Sequence, residues 1–540
     1  MSTQERSLKE LFKCPICVMV MIFTLTFLFS TKMICKAHAQ PKGTIKIGLV
    51  GEIDPLIPND TVNRATNRVV QQIFETLIDM DYSNNFQPSL ATSWEITSGG
   101  KAIILNLRKG VKFHDGSLFD ARAVKVSFDR MEKDKLKRWT LFDPILRSVE
   151  VVNDYTVKLN LKCSPSTAFT ILSIWGFIES PVAVERYGKD IGLHPTGTGP
   201  FKFVEWVPDQ RIVLEANRDY WGGEPKISQV IYKPVPDTQT RLAMVEAKDL
   251  DVAEDPPFTE IKRLKSEAEL KVIQRQSATM LFLVFNAVRS PFDDKRIRQA
   301  VSYGIDRKNI VDKLLFGLIP MAETYAGPNV KHVFKYNIYP YDPNKAKNIL
   351  ANLGWKLGKS GFLEKDGEVF KTAIVTPSGR YPADRQIAEA IQAQLKKLGI
   401  DAKITVLESA AFIKAMTSGR QAKQNAEYGM LILTRPMWPD PDSAFTQHFH
   451  SRSIPPDGPN ASIFMNSELD LLLEEGAKEV DESKRSAIYK KAQDILNDQV
   501  PWLPIYSLMD FAVMRKGVQG VGYINPFSFM VVSKDTQVER

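Results

Sequence analysis

Cysteine is nearly absent from the bulk of this chain. Of 540 residues only four are cysteines; Cys14, Cys17 and Cys35 crowd into the first 39, leaving Cys163 alone in the remainder. A single thiol excludes an intramolecular disulfide, so packing must hold the remainder together. Histidine is scarce as well, with six residues. No Gly-x-Ser-x-Gly elbow or His-Glu-x-x-His helix occurs, and no acidic pair stands out among the 63 carboxylates. The formal charge is +8, of which +3 sits on residues 1–39, and the rest is spread without a basic block. So diffuse an excess gives nucleic-acid binding little support. Internal repeats, low-complexity tracts and long Gly/Ser linkers are missing too, so the lobes expected of such a chain are interleaved rather than strung in series. The longest apolar to weakly polar run, Ile16 to Ser30, has 15 residues, short of the roughly 20 that a membrane span needs.

What is present is ordinary globular composition, 44% apolar and 25% charged. The length exceeds what one hydrophobic core usually serves, so two or three lobes are expected. The N-terminus reads as a targeting segment: a basic region ending at Lys13, the 15-residue run, then Ala37-His38-Ala39 with small residues where a signal peptidase reads. Cleavage after Ala39 would remove three cysteines and His38, which excludes Cys14-Pro-Ile-Cys17 as a zinc half-site or redox pair. An uncleaved anchor is the alternative. Lipidation at Cys35 is disfavoured by Ile34, because a small residue is wanted there.

Periodicity then places the elements. Gly43 to Val50 alternates as a strand, and Thr66 to Met80 puts Val69, Val70, Ile73, Phe74 and Leu77 on one helical face. Ile103, Leu105 and Leu107 read as an exposed-edge strand, Asp115-Gly116 as a turn, and Asp120 as the cap of a helix carrying Ala121, Val124 and Phe128. Tyr155 to Leu161, Ile227 to Lys233, Leu281 to Asn286 and Ala402 to Leu407 read as strands. Thr238 to Glu246 reads as a short helix. Asp306, Asp342-Pro343, Ser467 and Asp481 cap further helices, and Pro382 to Leu398 is a helix closed by Gly399.

Four stretches carry a resemblance. They are Leu107-Arg-Lys-Gly-Val-Lys-Phe-His114-Asp-Gly116, Pro195-Thr-Gly197-Thr-Gly199-Pro-Phe201 with Asn217 to Pro225, Pro291 to Arg307, and Pro501-Trp502-Leu-Pro504-Ile-Tyr506. In this order they resemble the extracytoplasmic solute-binding proteins, family 5, of the peptide/nickel class of ABC importers. That class includes dipeptide-, oligopeptide- and glutathione-binding members. The resemblance runs from about residue 44 to 530. It implies an α/β, two-lobed periplasmic-binding-protein fold of type II with a hinge and an inserted third subdomain. The parts implied are 1–39 signal peptide, 40–80 lobe I, 81–195 insert, 196–288 lobe I again, 289–499 lobe II and 500–540 the return to lobe I. It also makes the Gly197-Thr-Gly199 stretch structural. Pro200 and the missing third glycine already argue against a phosphate loop.

Such a receptor closes around its solute with a few oriented polar groups and aromatic walls. The cleft loop is expected in Gly429 to Asp442. In peptide-binding relatives an aspartate shortly before the Asp-Pro pairs with the ligand's amino group, but here Met437 stands at that position. A thioether cannot neutralise an ammonium group. Arg435 can instead pair with a carboxylate or phosphate, and Trp438 can wall the cleft. Arg380 lies near the position from which relatives supply an arginine, and Asp60 lies in the lobe I loop that approaches the cleft. The alternatives are a surface arginine at Arg435 and an ordinary helix-capping loop at Asp60. His114 reads as a turn residue. His448 and His450 would share a face on a strand, a conceivable metal pair without an apparent third ligand.

The expected activity is capture of a small polar solute, a peptide or peptide-like acid, for an ABC permease in the inner membrane. No cofactor, resident metal, nucleic acid or catalysis is expected, and the protein should act as a periplasmic monomer. A metal-chelate receptor of the same family and a secreted hydrolase are the alternatives.

Overall fold

The computed structural model describes residues 42–61, 63–162, 165–378, 383–479, 481–523 and 530–539. The targeting segment, Cys163 and Arg380 lie outside these.

Ten strands form one twisted sheet: β1 (Thr44–Leu49), β2 (Phe201–Val207), β3 (Arg211–Ala216), β4 (Gln229–Pro234), β5 (Val252–Glu254), β6 (Leu270–Phe285), β7 (Lys371–Pro377), β8 (Asp401–Leu407), β9 (Met430–Pro436) and β10 (Trp502–Arg515). Their order is β8-β7-β9-β6-β10-β5-β1-β4-β3-β2. Two separate hydrophobic cores flank the long central pair. One gathers Ile45, Ile47, Val69 and Phe128 with Met514 and Val532; the other gathers Phe282, Ile391, Leu431 and Trp502. These are the cores of two lobes, and β6 and β10 run through both. The inserted part has its own antiparallel sheet, Ala91–Thr97, Ala102–Leu107, Thr156–Leu161 and Leu146–Asn153 in that order. Ala102–Leu107 is therefore an interior strand, not the exposed edge expected, because Ala91–Thr97 and Thr156–Leu161 pair with its two sides.

The first helix, α1 (Arg64–Ile73), starts where Asn63 Oδ1 accepts the amides of Ala65 and Thr66. It stops seven residues before the expected Met80. Ile73 O accepts the Gly199 amide at 2.9 Å, and Ile78–Met80 pairs as a strand with Phe86–Pro88. Only glycine permits that approach: a Cβ on Gly197 would sit 2.1 Å from Ile73 O, and one on Gly199 2.5 Å from Gln72 O.

The same junction collects the other motifs. His114 donates its amide to Gly197 O and its Nε2–H to Gly199 O, both at 2.9 Å, while Asn217 Nδ2 also reaches Gly199 O at 3.0 Å. His114 is thus a half-buried tie, and burial lowers its pKa to about 4. Beside it, Glu75 accepts protons from Thr198 Oγ1, Tyr220 OH and Trp221 Nε1 at 2.7 to 2.8 Å. Arg108 lies over the Trp221 ring.

Caps at Asp120, Asp306, Asp342 and Asp481 fall where expected. At Ser467 the cap is one residue earlier, because Asn466 Oδ1 accepts the Leu469 amide. His448 and His450 lie at the end of the helix Pro441–Phe449, not on a strand. His448 is buried against Trp502, whereas His450 meets Asp470 and Glu474. No group of three metal-ligating side chains occurs among the described residues.

Burial raises the Glu75 carboxyl from 4.5 to about 7, despite three donors aimed at it. Its contribution to stability is therefore present in full below pH 4.5 and is lost as pH rises through 7. Thermal unfolding of the wild type and Glu75→Gln across pH 4 to 8 should show a difference that shrinks by about 2–3 kcal/mol over that window. Parallel profiles would contradict the burial.

Candidate functional site

Register fixes where the cleft lies. In lobe I, β1 runs parallel to β4 and β5, and β5 runs antiparallel to β10 with Glu254 opposite Ala512. In lobe II, β7 runs parallel to β8 and β9, while Pro436 at the end of β9 lies opposite Thr279 of β6. The carboxyl ends of both sets of parallel strands therefore point at the same short stretch of β6 and β10, the place where open α/β sheets bind ligands.

The ladder is broken at that stretch. Gln276 pairs with Met509 and Met280 with Ser507, so Ser277, Ala278 and Thr279 lie opposite Leu508 alone. The freed Ala278 carbonyl accepts the Met437 amide at 2.9 Å instead. This is a local irregularity at which two otherwise rigid ladders can bend relative to each other. On the lobe I side of the break, Arg275 is clamped to Asp510 at 2.6 Å and stacks on Tyr523.

Three of the expected site residues lie at these carboxyl ends. Asp60 belongs to the loop after β1; its Oδ1 accepts the Lys137 amide at 2.9 Å and its Oδ2 lies 3.6 Å from Lys137 Nζ. Asp60 thus already ties its loop to the turn after α2 (Ala121–Lys133). Arg435 sits near the end of β9, half-buried, with Nη2 against Met416 Sδ. Its charge helps burial lower Lys423 to about 7 and His448 to about 3. Met437 and Trp438 then diverge. Met437 is fully buried in the lobe II core, whereas Trp438 packs into the lobe I core cluster. Trp438 is thus a bridge between the two cores. Arg380, which follows β7 in the sequence, is outside the described residues.

Other contacts cross the cleft that sequence reading missed. The amino end of α3 (Pro165–Trp175), in the inserted part, faces the start of the lobe II helix Pro441–Phe449. Ser166 Oγ donates to Asp440 Oδ2 at 2.5 Å, and Thr167 Oγ1 to Asp442 Oδ2 at 3.4 Å. Carboxylates there are favoured by the dipole of α3. Asp440 is in turn held by Arg485 Nη2 at 3.0 and 3.2 Å, both side chains being buried. Asn84 Nδ2 reaches the Asn329 carbonyl across the same gap. Small hydroxyl residues on an apolar helix gave no signal of such a role.

One more side chain borders the lobe I loop. Arg138 donates its amide to Asn59 O at 3.0 Å, and its guanidinium lies 3.5 Å from the centroid of the Trp175 ring. Asn59 is itself fully buried, with Nδ2 donating to Phe177 O.

Comparison with known proteins places this geometry. The family model of bacterial extracellular solute-binding proteins, family 5 (Middle), matches residues 85–455. The glutathione-binding protein GsiB of Salmonella paratyphi A is 30% identical over 457 residues, covering 84% of this chain and 86% of that one. The oligopeptide-binding protein AppA of Bacillus subtilis, solved with a nonapeptide, is 27% identical with a TM-score of 0.75, covering 93% and 100%. The ABC transporter-associated periplasmic binding protein DppA of Helicobacter pylori, solved with the peptide STSA, is 25% identical with a TM-score of 0.75, covering 94% and 100%.

Replacing Ser166 and Thr167 together by Ala should leave each core intact, costing about 2–3 kcal/mol of stability. It should nevertheless favour an open arrangement, seen by small-angle scattering as an increased radius of gyration. Asp440→Ala, which strands Arg485, should cost about 3–5 kcal/mol in denaturant unfolding.

Proposed function

This chain belongs to family 5 of the bacterial extracellular solute-binding proteins, and from that premise we propose that it captures a small polar, acidic solute for an ABC importer. The observation that carries the reading is the convergence of both lobes' parallel strand ends on one break in β6 and β10. A cleft built this way closes by bending at the break, and Trp438 and Ser166 make contacts that closure forms. No chemistry on the solute is part of the reading.

The character of the solute follows from the charges. Met437 is buried and apolar where peptide-binding relatives are expected to hold an amino group, so an ammonium finds no counter-ion at that position. Arg435 adds positive potential to the lobe II side, to the extent that it disfavours charge on Lys423 and His448. A peptide-like acid fits these features; glutathione, the solute named for GsiB, brings two carboxylates and also an ammonium for which Met437 offers no partner. Arg380, Arg435 and Trp438 are the proposed contacts, with Asp60 positioning the opposite loop.

The remaining assignments belong to the same proposal. The chain is exported with cleavage after Ala39 and works in the periplasm as a monomer that docks on two permease subunits. Its parts are 40–80 and 196–288 for lobe I, 81–195 for the insert, 289–499 for lobe II and 500–540 for the return. The separate sheet supports the insert, while Met280 to Phe285 and Trp502 to Tyr506 pack in the lobe II core and so put the crossings between the lobes inside β6 and β10. No helix among the described residues is long and apolar enough to cross a membrane.

Native mass spectrometry of residues 40–540, purified without refolding, tests the reading. Retention of an acidic solute is the expected result. Isothermal titration should then rank anionic above neutral and cationic small molecules, and tight binding of cationic peptides alone would overturn the acidic assignment.

A further inference from the structure

Buried guanidinium groups in this protein follow a rule. Arg241 hands its protons to the carbonyls of Glu254, Val235 and Asp255, Arg298 to those of Gln499 and Phe292, and Arg307 to those of Ala322 and Pro504. Arg275 and Arg485 hold Asp510 and Asp440. The reason is energetic: an ion removed from water without a compensating partner costs several kcal/mol.

Arg138 breaks the rule. It is 8% exposed, between Arg485 at 7% and Arg275 at 9%. Among the described residues its side chain makes no hydrogen bond and no ion pair, and its buried Nε has no acceptor. Burial is the only influence on its acidity, which moves down to about 10 with no carboxylate close enough to oppose the change. What it does have is a platform. The guanidinium carbon lies 3.5 Å from the Trp175 ring centroid, which engages the flat face of the group and leaves its N–H edge for an acceptor. Its position is fixed by the bond from its amide to Asn59 O. Asn59 and Asp60 follow β1, whose carboxyl end points at the break between the lobes.

We propose that Arg138, stacked on Trp175, is the anion anchor of the lobe I side of the cleft, and that the solute supplies the carboxylate this guanidinium lacks. The inference rests on the solute-binding reading and names the chemistry of the same cleft. The planar fork takes a carboxylate through two parallel hydrogen bonds. A solute with acid groups at both ends would meet Arg138 on one lobe and Arg435 on the other. Closure would thus be coupled to a second negative charge, and a monoacid would be held by one lobe only.

The test uses residues 40–540 as wild type, Arg138→Gln and Arg138→Lys, with thermal unfolding and isothermal titration. The probes are glutathione, its diethyl ester, tripeptides as free acids and as amides, and succinate. The wild type should be stabilised by at least one free acid and not by the matching ester or amide. Arg138→Gln should weaken that acid roughly 30-fold or more, and Arg138→Lys less. The solute-free Arg138→Gln protein should unfold at the wild-type temperature or above it, because it no longer buries an unpaired charge. A lowered solute-free midpoint would assign Arg138 a structural role and overturn the proposal, as would undiminished affinity in Arg138→Gln. A wild type that binds only neutral or cationic probes would overturn the anchor and leave solute capture standing. A wild type that takes up nothing would overturn both.

Discussion

Both halves of the molecule hang from one pair of strands. β6 and β10 are paired along most of their length, and each passes from the lobe I core to the lobe II core. The other eight strands of the large sheet extend outward from this pair, three on the lobe II side through β9 and five on the lobe I side through β5. An unbroken ladder of that length would resist bending, because each backbone pair holds the next in register. Leaving Ser277 to Thr279 opposite Leu508 alone, with a second register shift between Leu281 and Phe282, removes the constraint over a few residues, and the ladder resumes on both sides. Stiff lobes with one soft crossing are what that pattern produces. The orientation of the neighbouring strands then determines which loops overhang the crossing.

Each lobe by itself is an incomplete binding surface. Lobe I presents the loop of Asn59 and Asp60 with Arg138 on its aromatic platform. Lobe II presents the end of β9 with Arg435, and it sends Trp438 over to the other core. Direct contacts between lobes are small: a serine hydroxyl on Asp440, a threonine on Asp442, an asparagine on a carbonyl. Each contributes about 1–2 kcal/mol, the two that end on carboxylates the more. They bias closure without locking it, which suits a receptor that must release its cargo.

Much of this was legible in the sequence, and the exceptions share a cause. Asp120, Asp306, Asp342 and Asp481 cap their helices because capping is local chemistry. The end of α1 was misread because the group that takes over Ile73 O is Gly199, far along the chain. Ala102–Leu107 looked like an edge strand for the same reason, since its second partner begins at Thr156. Histidines 448 and 450 would share a face on a strand, but Asp440 and Pro441 start a helix there. At the site, Met437, Trp438 and Arg435 could be singled out from their place before the Asp-Pro. Arg138 could not, because a basic residue among Lys133, Lys135 and Lys137 reads as solvated surface. Its isolation is a fact about what surrounds it, and only the fold supplies that.

The junction around Gly197 and Gly199 has a bearing on how the chain is made. Lobe I begins with β1 and α1, yet α1 is finished by Gly199, and Gln72 Oε1 accepts the amide of Val532 near the chain's end. Residues made first must therefore wait for residues made last, while the lobe II core draws almost wholly on one continuous stretch from Met280 to Tyr506. During synthesis the leading segment has no completed hydrophobic layer to join. Lobe I, first in the sequence, is therefore the last part of the molecule whose packing can be completed.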